Sequence, residues 1–199
     1  LFTFNTEKLV CLVAAALLEL QLEGCAAVDK KFITVTGPLP QEMAHLRPLY
    51  DYLNTGKPMQ TEKLLEEYTY SVTDAHLNEL MAAIGDSLVQ QGLMTPVKAG
   101  LLGKKQGYLP TREAINAVVD LVRAELLEEG EVTEDVAALV ILLEQGKCLK
   151  PYFSAFEQKE MRDKLQAISQ TPAGKAVRDM VEYVENLIAV MTLLVTVFT

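Results

Sequence analysis

Two histidines and three cysteines are the whole supply of imidazole bases and thiols in this 199-residue chain. Neither His45 nor His76 stands in HExxH, the i,i+4 pair that holds a zinc ion beside a glutamate base. No GxSxG turn offers a serine nucleophile. Cys11, Cys25 and Cys148 are odd in number and far apart, and none has the CxxC spacing of a zinc knuckle or a dithiol motif. Cys11 lies in an apolar run and reads as a small core residue, which suits a reducing compartment. The carboxylate pairs Glu66-Glu67 and Glu128-Glu129 fall on polar helix faces and read as solvated charge. Gly100-Leu101-Leu102-Gly103-Lys104 is too short for a phosphate loop, and Lys105 stands where that loop needs Ser or Thr. The expectation is therefore a protein that is not an enzyme and that carries neither metal nor cofactor.

One segment keeps a chemistry of contact. The formal net charge is −9, yet Leu93 to Arg112 contains Lys98, Lys104, Lys105 and Arg112 and no acidic residue. Leu101 and Leu102 stand beside Lys104 and Lys105. Leucine can enter the acyl boundary of a membrane while lysine meets anionic headgroups, at about 1 kcal/mol per basic residue near the surface. The same pattern also suits a hairpin packed on its own domain or on a second copy. A helix followed by a hairpin is how a winged-helix DNA reader ends. Here the preceding helix carries Asp74, Glu79 and Asp86 with no Lys or Arg, so no nucleic-acid partner is expected.

The elements that must hold this segment are mostly helices. Every residue from Leu9 to Leu18 is apolar. A helix without a polar stripe is buried on all sides, so the helix from Glu7 to Glu23, capped by Thr6, is expected at the centre. Cys25 to Val28 and Phe32 to Thr36 read as a hairpin around Asp29-Lys30-Lys31. Pro40, Pro48 and Pro58 cut the next stretch into short helices, with Leu46, Leu49, Tyr50 and Leu53 on one face. Thr61 is expected to cap a helix through Tyr68. Thr73 or Asp74 should start a longer one through Gln91, with Leu77, Leu80, Met81, Ile84, Leu88 and Val89 as its apolar face. Gly92 stops it, and Leu93 to Pro110 reads as a projecting hairpin. Thr111 caps a helix with Ile115, Val118, Val119, Val122 and Leu126 on one face. Thr133 caps Val136 to Leu143, Glu157 to Ile168 is amphipathic, and Pro172 is placed in the first turn of the last helix. Its apolar end, Leu187 to Phe198, is shorter than the ~20 residues of a membrane span. Leu9 to Leu18 lacks the basic flank of a signal peptide. The chain starts at Leu1, so its N-terminus is open to trimming. The fold class expected is mainly α, one domain over 1–199, with small β-hairpins.

The order of these segments resembles the Golgi phosphoprotein three-like family. Leu12 to Gly24 is similar to that family's buried first helix, and Ser87 to Met94 with the hairpin is similar to its helix and projecting hairpin. Glu134 to Leu143 resembles a core helix of the family, and Val190 to Thr199 its closing apolar helix. The resemblance implies a non-enzymatic, mainly helical peripheral membrane protein, cytoplasmic and of the bacterial type. It also implies an adaptor role and binding of phosphatidylinositol 4-phosphate. The family's headgroup pocket, aligned without gaps, falls on Phe4, Val13, Asn78 and Met81. Only the aromatic character of Phe4 is kept. A multiply charged headgroup needs Arg or Lys donors, so no preference for that phosphoinositide is expected. The lipid-contacting residues expected are Phe4, Lys98, Leu101, Leu102, Lys104 and Lys105. An anionic lipid surface is the first partner, and a protein or a second copy of the chain, met through the hairpin, is the other.

Overall fold

The computed structural model describes residues 6–29, 31–69, 74–99 and 105–197. The uninterrupted apolar run becomes helix α1 (Thr6–Leu22), and Val13, Ala14, Leu17 and Leu20 within it have no exposed surface. Helices α3 (Thr61–Thr69), α6 (Glu134–Gln145) and α8 (Lys175–Val197) pack around it. The enclosure is not complete. Leu12 and Ala15 are half-buried and Glu19 and Leu22 are exposed, which leaves one open stripe along α1. Spacings of three and four residues put these positions on a single helix face.

A three-stranded antiparallel sheet covers one end of α1. Strands β1 (Ala26–Val28) and β2 (Phe32–Val35) form the expected hairpin, with Val28 opposite Ile33. The Asp29 carboxylate accepts the backbone N–H groups of Lys31 and Phe32 at 2.7 and 2.8 Å, which holds its pKa below the usual range. Strand β3 (Met59–Gln60) adds to β2 and was not legible, because a two-residue strand has no period. A 3-10 helix (Gln41–Leu46) runs into α2 (Arg47–Leu53), and Pro48 sits in the first turn of α2, where its missing N–H costs nothing.

The long surface helix α4 (Ala75–Gln90) ends at Gly92, whose φ of +74° only glycine adopts without strain. Strands β4 (Met94–Ala99) and β5 (Lys105–Pro110) then pair as an antiparallel ribbon, from Met94 opposite Pro110 to Ala99 opposite Lys105. Helix α5 (Arg112–Leu126) follows, capped by the Thr111 hydroxyl, which accepts the Ala114 N–H at 3.2 Å. Thr133 likewise caps α6 by accepting the Val136 N–H at 3.3 Å. Helix α7 (Ala155–Ser169) starts two residues earlier than its polarity suggests, on a reciprocal cap between Ser154 and Glu157. The backbone N–H and hydroxyl of Ser154, helped by Arg123, hold the Glu157 carboxyl below its usual pKa.

Three local expectations, at Thr61, Pro172 and the apolar face of α5, are corrected. Thr61 is the first residue of α3 rather than its cap, and its buried hydroxyl has no hydrogen-bond partner. Asp74, at φ +50°, stands at the start of α4 as expected, although its carboxylate accepts no capping hydrogen bond. Pro172 precedes α8, because the Thr171 hydroxyl accepts the Gly174 N–H and turns the chain before Lys175. On α5 only Val122 and Leu126 are buried, while Val118 and Leu121 are 42% and 45% exposed. The first half of α5 runs past the core, so its apolar stripe is longer than the surface available to cover it.

Leu17→Ala should lower the unfolding free energy by about 2–5 kcal/mol, because a fully buried leucine leaves both a transfer loss and a cavity. Thr61→Val should raise it by roughly 1 kcal/mol, since an isosteric side chain removes an unsatisfied buried hydroxyl. Denaturant titration followed by circular dichroism measures both.

Candidate functional site

The side-chain hydrogen bonds described between the ribbon and α4 gather at one place. Gly85 lies in the middle of α4, where glycine costs about 1 kcal/mol relative to alanine. A Cβ at this position would land on the ring of Tyr108 from β5. The glycine thus makes a seat for the tyrosine. The Tyr108 hydroxyl donates to Asp86 Oδ1 at 2.8 Å and lies 3.3 Å from the Ala82 carbonyl oxygen. Gln106 Nε2 donates to the same carboxylate oxygen at 3.1 Å and to the tyrosine hydroxyl at 3.0 Å. Burial, then the hydrogen bond and charge of Asp86, push the Tyr108 phenol above its ordinary pKa.

Alternation in the ribbon follows from this seat. Tyr108 faces α4 and shares its face of the ribbon with Pro96, Gln106 and Lys98, while Leu109 and Thr95, and Gly107 and Val97, lie on the other face. None of the ribbon's described side chains is buried, and Leu109 is 57% exposed. Lys98 is exposed near the far end of β4, and Lys105 opens β5 opposite Ala99. Leu101, Leu102 and Lys104, like Phe4, lie outside the described residues.

The aligned headgroup positions fall elsewhere. Val13 has no exposed surface and faces the core, so no side chain at that position reaches a ligand on the surface. Asn78 is exposed and Met81 half-buried on α4. None of the three lines an open cleft described nearby. That cleft, about 260 Å³, lies between the open stripe of α1 and α4 and is floored by Leu12, Ala15, Ile84 and Leu88. His45 Nε2 and Glu19 Oε1, 3.1 Å apart, close one side of it. His76 is held differently. Its ring stacks near Tyr52 and Tyr68, with Glu67 and Glu79 at 3.8 and 4.0 Å. Both histidines thus make contacts that fix neighbouring helices to one another.

Gly85 and Tyr108 were not among the sequence candidates. A signal for them did exist, since a glycine isolated inside a helical pattern usually has a packing reason. The cleft was hidden because Ala15 and Leu12 look like any other core residues until Glu19 and Leu22 extend their stripe.

No helix among the described residues is long and apolar enough to cross a membrane. A mainly α domain built on one buried helix, with a two-stranded ribbon standing on a surface helix, is the class this fold defines. The chain belongs to the Golgi phosphoprotein 3 (GPP34) family, whose profile matches residues 2–184. Comparison with curated proteins gives no match.

The seat makes a pH prediction. A phenol whose pKa is raised in the folded state keeps its stabilising proton fully below the unfolded value of about 10 and loses that contribution as pH rises through the folded value. Stability should therefore fall above pH ~10, and Tyr108→Phe should make the fall shallower. Tyr183, pushed up to about 12 by burial against its bond to Gln21, and Tyr52, Tyr68 and Cys25, each raised by burial, add to the same fall. Gly85→Val should displace the ribbon and cost about 1–3 kcal/mol, with hydrogen-exchange protection lost in β4 and β5 before α6.

Proposed function

We propose that this chain is a non-enzymatic adaptor that rests on an anionic membrane surface through the β4–β5 ribbon. One observation carries the reading. The ribbon is seated on α4 through Tyr108 and Gln106, buries none of its described side chains, and belongs to a segment with four basic residues and no acidic one inside a protein of net charge −9. Membership of the Golgi phosphoprotein 3 family supports it. Leu101 and Leu102 supply apolar insertion, and Lys98, Lys104 and Lys105 supply attraction to headgroups. Recognition is by surface charge rather than by one phosphoinositide, because Val13, Asn78 and Met81 offer no cationic donors where the family's pocket aligns.

Liposome co-sedimentation tests this. Vesicles of phosphatidylcholine with phosphatidylserine should bind the chain, and vesicles of phosphatidylcholine alone should bind it weakly. Lys104→Glu with Lys105→Glu should weaken binding by at least about tenfold, and added salt should weaken the wild type in the same way. Leu101→Ser with Leu102→Ser should weaken binding with little salt dependence, since it removes apolar burial at about 25 cal/mol per Å². Phosphatidylinositol 4-phosphate should bind no better than phosphatidylserine at matched charge. If the leucine pair leaves sedimentation unchanged and alters only the size on gel filtration, the ribbon joins copies of the chain and the membrane reading fails.

A further inference from the structure

The three cysteines are thiols, and two of them come from opposite ends of the sequence to one place. Cys11 is on α1, 8% exposed, and Cys148 follows the end of α6. Gly146, buried between them, is what lets them approach. A Cβ placed on Gly146 would lie 3.5 Å from Cys148 Sγ and 3.6 Å from Cys11 Sγ, so the two sulfurs are at most about 7 Å apart. No side chain at position 146 separates them. Rotation about χ1 moves a cysteine sulfur by about 3 Å, so rotation of both side chains brings such a pair within reach of the bonded distance of about 2 Å. The backbone beside Cys148 is a turn. Lys147 has φ +55°, and the Cys148 N–H donates to the Leu143 carbonyl at 2.7 Å. Cys148 is partly open to solvent, whereas Cys25 is 1% exposed and its thiol faces the Pro38 carbonyl oxygen at 3.5 Å.

We propose that Cys11 and Cys148 are a redox pair that closes reversibly into a disulfide, stapling the central helix to the end of α6. The oxidant is a low-molecular-weight disulfide such as oxidised glutathione. Cys148, as thiolate, attacks one glutathione sulfur and expels the other as a thiolate, which takes up a proton. Cys11, deprotonated in turn, attacks Cys148 Sγ in the mixed disulfide and expels the second glutathione. Two protein thiols become one disulfide, and one glutathione disulfide becomes two thiols. Reduction by excess thiol runs the same exchange backwards. Exposure sets the order of attack, since the small-molecule disulfide reaches Cys148 and not Cys11. The staple closes a loop of more than half the chain, the case in which cross-linking restricts the unfolded state most.

The test treats the folded full chain with oxidised glutathione and reads intact mass, unreduced peptide maps and melting. The wild type should lose two hydrogens, give a peptide linking Cys11 to Cys148, and gain roughly 5–15 °C in Tm, all reversed by dithiothreitol. Cys25→Ser should behave as the wild type. Cys148→Ser should form no internal disulfide, and Cys11→Ser should stop at a glutathione adduct on Cys148. A stable adduct on Cys148 in the wild type, a bond that includes Cys25, a bond between two chains, or a lowered Tm on oxidation would overturn the proposal. Because the wild-type peptide map decides the pairing alone, poor folding of one variant leaves the test intact.

Discussion

Everything in this fold answers to the need to keep one helix out of water. A segment without a polar side chain over Leu9–Leu18 cannot lie on a surface, and each fully buried valine or leucine in it is worth about 1.5–3 kcal/mol. Alanines at 14 and 16 let neighbouring backbones come close, while Leu17 and Leu20 fill the space between α3, α6 and α8. The packing also explains what stays outside. Once three helices and a small sheet surround α1, its remaining stripe needs only partial cover. The 3-10 helix and α4 give that cover and leave a cleft rather than a seam.

The peripheral elements are therefore fixed by few contacts, and each of these can be named. Helix α4 buries Leu77, Leu80 and Gly85. A mid-helix glycine is a cost in isolation. Here the cost is offset by an aromatic ring packed flat on the helix backbone and by a phenol bonded to Asp86. Helix α5 repeats the pattern with Val122 and Leu126 in the core and Val118 and Leu121 outside.

Most of the architecture was readable because its signals are strong and local. Pro48, Gly92, Thr111, Thr133 and the apolar run of α1 each impose one outcome on the backbone. The hairpin of β1 and β2 and the ribbon were equally plain, since turn residues bracketed short apolar stretches. What escaped notice depends on tertiary placement. Strand β3 exists only because β2 offers it an edge. The helix start at Thr61 is set by pairing, as its N–H goes to the Lys31 carbonyl and not into a cap. The incomplete burial of α1 is a property of its neighbours, not of its own residues. Of the site, the basic window around Lys98 was legible from charge alone. The Gly85–Tyr108 seat that positions it joins residues 23 places apart, which no periodicity links.

Charge patterning gives these mechanical facts a direction. The chain is acidic, and a like-charged surface repels such a body as a whole. Attraction between exposed charges fades over a Debye length of about 8 Å at physiological salt, so only the part that touches first matters. Binding at a negative surface then requires that basic side chains be carried clear of the acidic body. A ribbon that stands on α4 through Tyr108, buries none of its described side chains and keeps Lys98 exposed near the far end of β4 meets that requirement. The two requirements, a fixed root and a bare face, are both met by a single glycine. Without Gly85 the ring could not reach the helix backbone, and without the ring the ribbon would have no defined angle at which to present its charge.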